Sequence, residues 1–143
     1  MSNLTYTIAK GLLNSVDWTD AAKKYRLLLL TSAYTPSAAH QHVSDVVASE
    51  ATGTGYARKL LGTRTRATVG ANVEYKAAAP NWNPITTAFR YAALYYDVAG
   101  DDSTDATAWM VCLLDFGGTQ TLVAANFTLE FNGSNPGAAF EID

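Results

Sequence analysis

Apolar positions along this chain come in short runs, alternating or continuous, separated by glycine, proline and asparagine turns, which is the pattern of an all-β chain. The pattern is densest between Ile85 and Gly118. From Thr87 to Tyr96 one parity carries Phe89, Tyr91, Ala93 and Tyr95, and the other carries Ala88, Arg90, Ala92, Leu94 and Tyr96. The return run over residues 106–116 sets Met110, Cys112, Leu114 and Phe116 against Trp109, Val111 and Leu113. Both faces of both runs are mostly apolar. They predict a central antiparallel pair covered on two sides, by a second sheet on one and by a helix, a loop or another subunit on the other.

The rest of the chain reads as material packed around that pair. Ile8, Leu12 and Leu13, with Ala9 and Val16, are spaced for a short amphipathic helix, ended by Asn14-Ser15 and Asp17-Trp18. Gly11 inside it costs up to about 1 kcal/mol relative to alanine. Residues 24–34, with four leucines at Leu27 to Leu30, read as a buried strand too short to cross a membrane. After Thr35-Pro36-Ser37, residues 38–49 hold a turn or two of helix with Val43, Val46 and Val47 inward. Gly53-Thr54-Gly55 restores extended chain, and three short strands follow near 56–61, 63–69 and 73–79. Pro80 and Pro84 bracket a loop carrying Trp82, and Gly117-Gly118 reads as a strand-ending turn. Phe127, Leu129 and Phe131 then alternate with Thr128, Glu130 and Asn132, and Asn132-Gly133-Ser134 turns into a final strand near 138–142. The expected fold is a single domain over residues 1–143, an antiparallel β-sandwich, jelly-roll-like, with about seven or eight strands and one or two short helices.

Composition narrows the function classes. A chain of 143 residues can bury a core without disulfides or metal. Only 16% of residues are charged and the net charge is −3, so no electrostatic footprint for nucleic acid or an anionic membrane is present. Arg58, Lys59, Arg64 and Arg66 form the one basic cluster. The single Cys112, between Val111 and Leu113, reads as a small buried hydrophobe and excludes an intramolecular disulfide. The N-terminus lacks the regions of a signal peptide, and a soluble protein without an export signal is expected.

The candidate chemistry is sparse. His40 and His42, with Asp45 and Glu50 nearby, offer two histidine ligands where a zinc site needs at least three protein ligands. A triad built on Ser37 or Ser44 would draw on one short segment, with no convergence of distant parts of the chain. Gly53-x-Gly55 lacks the third glycine of a dinucleotide loop and reads as a turn with a close backbone approach. Asp97, Asp101, Asp102 and Asp105 surround Gly100 at spacings that depart from an EF-hand, as at a solvated hairpin tip. No catalytic residue, metal or cofactor is therefore expected. Trp109 reads as core, whereas Trp82, between two prolines, is the candidate exposed platform for a sugar, with folding back over a sheet end as the commoner outcome for a loop tryptophan.

Leu30-Thr31-Ser32-Ala33-Tyr34-Thr35-Pro36, then His40, Asp45-Val46, Glu50 and Gly53-Thr54-Gly55-Tyr56, followed by Trp82, Arg90 and Asp115-Phe116-Gly117-Gly118, resemble a family of small structural proteins of tailed bacteriophages. Val43 stands where that family has an aromatic residue and His42 departs from the pattern, so no role is carried onto that loop. The resemblance implies a non-enzymatic virion component made in the host cytoplasm and placed on the capsid exterior. It implies a capsid cement or decoration protein that binds the major capsid protein. A homo-oligomer is expected, and neither nucleic acid nor membrane is an expected partner. The candidate interface comprises the N-terminal segment, the loop of His40, His42 and Val43, Trp82, and Phe140 and Ile142 of the last strand. The alternative is a tail-fibre or receptor-binding module that recognises carbohydrate.

Overall fold

The computed structural model describes residues 2–130 and 138–142. Strand β1 (Ser2–Thr5) leads into helix α1 (Thr7–Ser15), then β2 (Lys24–Leu30), two 3-10 turns (Val43–Asp45 and Val47–Ser49), β3 (Lys59–Leu60), β4 (Arg64–Val69) and β5 (Asn72–Ala77). The long strands β6 (Asn81–Asp97) and β7 (Trp109–Thr128) follow, joined through a 3-10 turn at Asp105–Thr107, and β8 (Ala138–Ile142) comes last. The strands form a five-stranded sheet in the order β1-β7-β6-β2-β3 and a three-stranded sheet in the order β4-β5-β8, with antiparallel pairing throughout. The protein is an all-β, antiparallel, sandwich-like fold with one α-helix among the described residues. That helix is not long and apolar enough to cross a membrane.

The expected two-sided central pair is present, and each face carries its own core. The larger core holds Leu27, Leu29, Ala92, Leu94, Val111, Cys112 and Leu114, against Trp18, Tyr75 of the smaller sheet, and Ala9 and Leu13 of α1. The second holds Leu28, Leu30, Tyr91, Ala93, Tyr95, Met110 and Leu113, against Tyr6, Tyr34, Val43 and Val46. The four leucines of β2 are fully buried and alternate between the two cores. Each contributes about 1.5–3 kcal/mol by leaving water, which holds β2 in the middle of its sheet. The second face is covered by the chain's own residues 34–46, so these faces do not call for a second subunit to cover them.

Strict alternation predicts the facing of the long strands incorrectly at two places. The register of β6 with β7 shifts between Leu94 and Tyr95, so that Val111 and Cys112 both lie in the larger core while Met110 faces the second. An extra residue in one strand of a pair moves every following side chain to the other face. A second shift between Phe89 and Tyr91 places Phe89 in the larger core and Tyr91 in the other. Gly117 lies beside this irregularity at φ 81°, and its N–H is held by the Asp115 carboxylate at 2.8 Å. Gly117-Gly118 is thus a kink inside one continuous strand rather than the end of one.

Two other expectations change, and one strand is added. The loop expected between Pro80 and Pro84 is the first part of β6, with pairing that skips from Trp82 to Ile85 around the proline that has no N–H to give. The helix expected within 38–49 is a pair of 3-10 turns. The first residues form β1, which pairs Ser2–Thr5 with Asp115–Cys112 of the same chain. Phe131 and the Asn132-Gly133-Ser134 turn lie outside the described residues.

Candidate interaction surface

The candidate loop is anchored from beneath. The hydroxyl groups of Tyr6 and Tyr34 are 3.1 Å apart, and Tyr34 Oη lies 2.7 Å from Nδ1 of His40. Burial raises both phenols above their ordinary pKa, so the pair is held neutral inside the second core. His42 lies against Trp109 with ring centroids 4.2 Å apart, and the two residues share an isolated β-bridge. Asp45 closes the turn by accepting the N–H groups of His42 at 3.0 Å and Gln41 at 2.9 Å, and these two bonds hold its carboxyl below the usual range. Half-buried His40 and His42 therefore each have a structural neighbour, a tyrosine for one and a tryptophan for the other. Ser37 Oγ accepts the N–H of Ala39 at 3.3 Å and Ser44 is exposed, and among the described residues neither serine hydroxyl bonds a histidine ring. Among the described residues no group of three or more metal-ligating side chains converges.

Two of the candidate interface residues have no side-chain surface to offer. Val43 is 0% exposed because its turn folds inward into the second core, with its N–H donating to the Ala108 carbonyl at 2.9 Å. Trp82 is 1% exposed, with Nε1 donating to the Ala57 carbonyl at 2.7 Å and its ring stacked at 5.5 Å on Phe127, so it is not a sugar platform. The half-buried tryptophan is Trp109, which borders a cleft of about 220 Å³ lined by Ile8, Gly11, Leu12 and Ser15 of α1. Phe140 and Ile142 sit on β8, at the end of the smaller sheet, in register with Tyr75 and Val73.

The acidic connection between β6 and β7 is stapled rather than loosely solvated. Asp97 is buried and accepts from Arg26 at 2.8 Å and from the N–H groups of Gly100 at 3.0 Å and Asp102 at 2.8 Å. Arg58 gathers three carboxylates, Glu50 at 2.7 Å, Asp102 at 3.1 Å and Asp105 at 2.7 Å. Its hydrogen bonds to Glu50 hold the guanidinium charged, well above its ordinary pKa, against the opposing effect of burial. Burial and the bond to Asp102 raise the Tyr95 phenol, and Tyr56 donates to Glu50 at 2.7 Å. Sequence reading found the basic cluster and the acidic loop separately. Their union at Arg58 leaves no local signal, because Glu50 and Arg58 come from the connection before β3 whereas Asp102 and Asp105 come from the one between β6 and β7.

The loop 51–57 lies along the edge of β6, with Thr86 N donating to Thr54 O at 2.8 Å and Thr87 Oγ1 to Thr52 O at 2.8 Å. Gly53 and Gly55 permit this contact. A Cβ on Gly53 would stand 1.9 Å from the Thr86 carbonyl oxygen, and one on Gly55 2.1 Å from that of Pro84. The close backbone approach read from Gly53-x-Gly55 is therefore real. The two sheets meanwhile end in strands drawn from the two ends of the described chain, β1 in one and β8 in the other. Comparison of the chain with protein-family models, curated proteins and solved structures gave no match.

Proposed function

We propose that this chain is a non-enzymatic structural protein of a tailed-bacteriophage virion, a capsid cement or decoration protein that docks on the major capsid protein from the exterior of the shell. The observation that carries the reading is the placement of β1 and β8 as end strands of the two sheets. An end strand presents main-chain N–H and C=O groups to a neighbour, and pairing there supplies affinity without a pocket. Charged side chains of the larger sheet and its connections are engaged with one another, at Arg58, Arg26 and Arg90, which suits a rigid body that presents shape. Self-association through the same edges gives a homo-oligomer, and repetition around a symmetric shell multiplies modest contacts into avidity.

Adding purified protein to particles that lack it tests this reading, with occupancy and resistance of the shell to heat as readouts. Saturable binding that raises the temperature of shell disruption is the expected result. A tail-fibre carbohydrate-recognition module is the second reading, favoured by Trp109 at the cleft beside α1. Absence of capsid binding combined with binding to host polysaccharide would select it.

A further inference from the structure

A cleft of about 360 Å³ lies between the connection that precedes β2 and the turn from β3 to β4, with Thr19, Lys24, Leu60, Gly62, Thr63 and Arg64 on its walls. Two of these residues are cations, and both hydrogen-bond backbone carbonyls. Lys24 Nζ donates to Ala21 O at 3.0 Å. Arg64 donates from Nε to Trp18 O at 2.8 Å, from Nη1 to Leu61 O at 3.0 Å, and from Nη2 to Asp20 O at 2.8 Å and Lys23 O at 2.6 Å. A guanidinium has five N–H groups, so these four bonds leave one on Nη1. The guanidinium carbon also lies 5.0 Å from the Tyr25 ring centroid and 5.7 Å from that of Trp18.

Arg64 differs in this from the other arginines of the interior. Arg26 bonds Asp97, Arg58 bonds three carboxylates and Arg90 bonds Asp115, whereas among the described residues Arg64 hydrogen-bonds carbonyls only. Carbonyl dipoles satisfy its N–H groups without cancelling its charge. Burial accordingly lowers its pKa, against smaller opposing effects of Tyr25 and then of the Asp20 carboxylate. The acids of the adjoining loop are turned onto their own backbone, where Asp17 accepts Thr19 N at 2.8 Å and Asp20 accepts Ala22 N at 2.9 Å. Thr63, on the cleft wall, is held at φ 21°, an uncommon conformation for a β-branched residue. Leu60, 46% exposed on the same wall, offers apolar contact to whatever carries a charge into the cleft.

We propose that this cleft binds a small oxyanion, a carboxylate or a phosphate group, with Lys24 and Arg64 supplying the positive charge. Charge-assisted bonds to an oxyanion are stronger than bonds to a carbonyl, and a half-buried cation with no carboxylate hydrogen-bonded to it gains most from one. The volume suits a single anionic group on a short stem.

Amide NMR spectra of the whole chain, titrated separately with sodium acetate and sodium phosphate at constant ionic strength, test the proposal and tell the two anions apart. Saturating shifts confined to the neighbourhood of Thr19, Gly62 and Thr63 are expected with at least one anion. Lys24→Gln should weaken that binding roughly tenfold, the loss of one charged hydrogen bond. Lys10→Gln, on the exposed side of α1, should leave it unchanged. Arg64 is not the variant of choice, since its four bonds hold the loop in place. Diffuse shifts without saturation, or saturating shifts of equal affinity in wild type and Lys24→Gln, would overturn the assignment.

Discussion

Gly53 and Gly55 are the residues whose replacement has the most direct physical consequence. Both have positive φ, 149° and 78°, and both would drive a Cβ into a backbone carbonyl of β6, where nothing flexible can yield. Gly53→Ala or Gly55→Ala is expected to cost more than about 2 kcal/mol, through strain together with loss of the bonds from loop 51–57 to β6. Gly118→Ala, where a Cβ meets nothing within 4 Å, should stay within about 0.5 kcal/mol. Urea unfolding of the three variants checks this. The Arg58 hub gives a second expectation. Arg58→Met leaves Glu50, Asp102 and Asp105 facing one another, at a cost of about 3 kcal/mol, the low end for breaking a buried pair because those side chains remain 18%, 24% and 31% exposed. A loss below about 1 kcal/mol in the same unfolding assay would mean that the network is solvated in solution. Carboxylates held below their ordinary pKa make stability depend on pH, Asp45 and Asp115 among them. Asp115 is lowered by its bonds from Arg90, and Asp45 by the N–H groups of His42 and Gln41. For a group whose folded pKa is depressed, the contribution is present above the unfolded value of about 3.9 and disappears as pH falls through the lower folded value. Urea midpoints measured from neutral pH downward should therefore fall most steeply below about pH 4, and Asp45→Asn and Asp115→Asn should each make that fall shallower.

At the scale of elements, the segment 31–50 determines how the central sheet is covered. Its valines and Tyr34 close the second core, and its backbone extends the sheet locally, with Thr31 N donating to Ser49 O and Ala51 N donating to Leu29 O, each at 2.8 Å. Tyr34 ties the segment to Tyr6 and to His40 through one hydroxyl. Tyr34→Phe keeps the ring in its core and removes both bonds, leaving the Tyr6 hydroxyl buried without that partner. A loss of about 1–3 kcal/mol is expected, with faster hydrogen exchange concentrated in 31–50. Exchange that speeds evenly over the whole sheet would show instead that the segment opens only with the global fold. The strands β6 and β7 illustrate the limit of pattern reading at this scale. Period-two alternation identified them as central and two-sided, but the irregularities at Leu94/Tyr95 and Phe89/Tyr91 reassigned which residues share a face. Trp109, Val111, Cys112, Leu114 and Phe116 all pack on one core, a grouping that strict alternation divides.

For the molecule as a whole, a net charge of −3 and loop charges already engaged internally predict how association responds to salt. Binding to capsids through strand edges should change little as salt is raised, whereas a polyanion binder would lose orders of magnitude in affinity. Occupancy of depleted particles at low and high salt measures this. A steep decline would point to a charged contact in place of main-chain pairing. The surface available for such contact is narrower than the 48% hydrophobic composition suggested, since the chain itself covers both faces of its central sheet with the smaller sheet, α1 and the segment 31–50.

Sequence by itself determined the fold class, the central strand pair, the amphipathic helix, the buried Leu27–Leu30 strand and the turn at Gly53-x-Gly55, because each rests on periodicity or on the conformational rules of neighbouring residues. The tertiary structure alone decided which faces those residues share, that Trp82 is interior, and that a single arginine joins Glu50 to Asp102 and Asp105. The reason is physical. A one-residue bulge reverses facing without altering composition, and the bond from Arg58 to Asp105 spans 47 residues, a separation over which no local pattern constrains which charges meet.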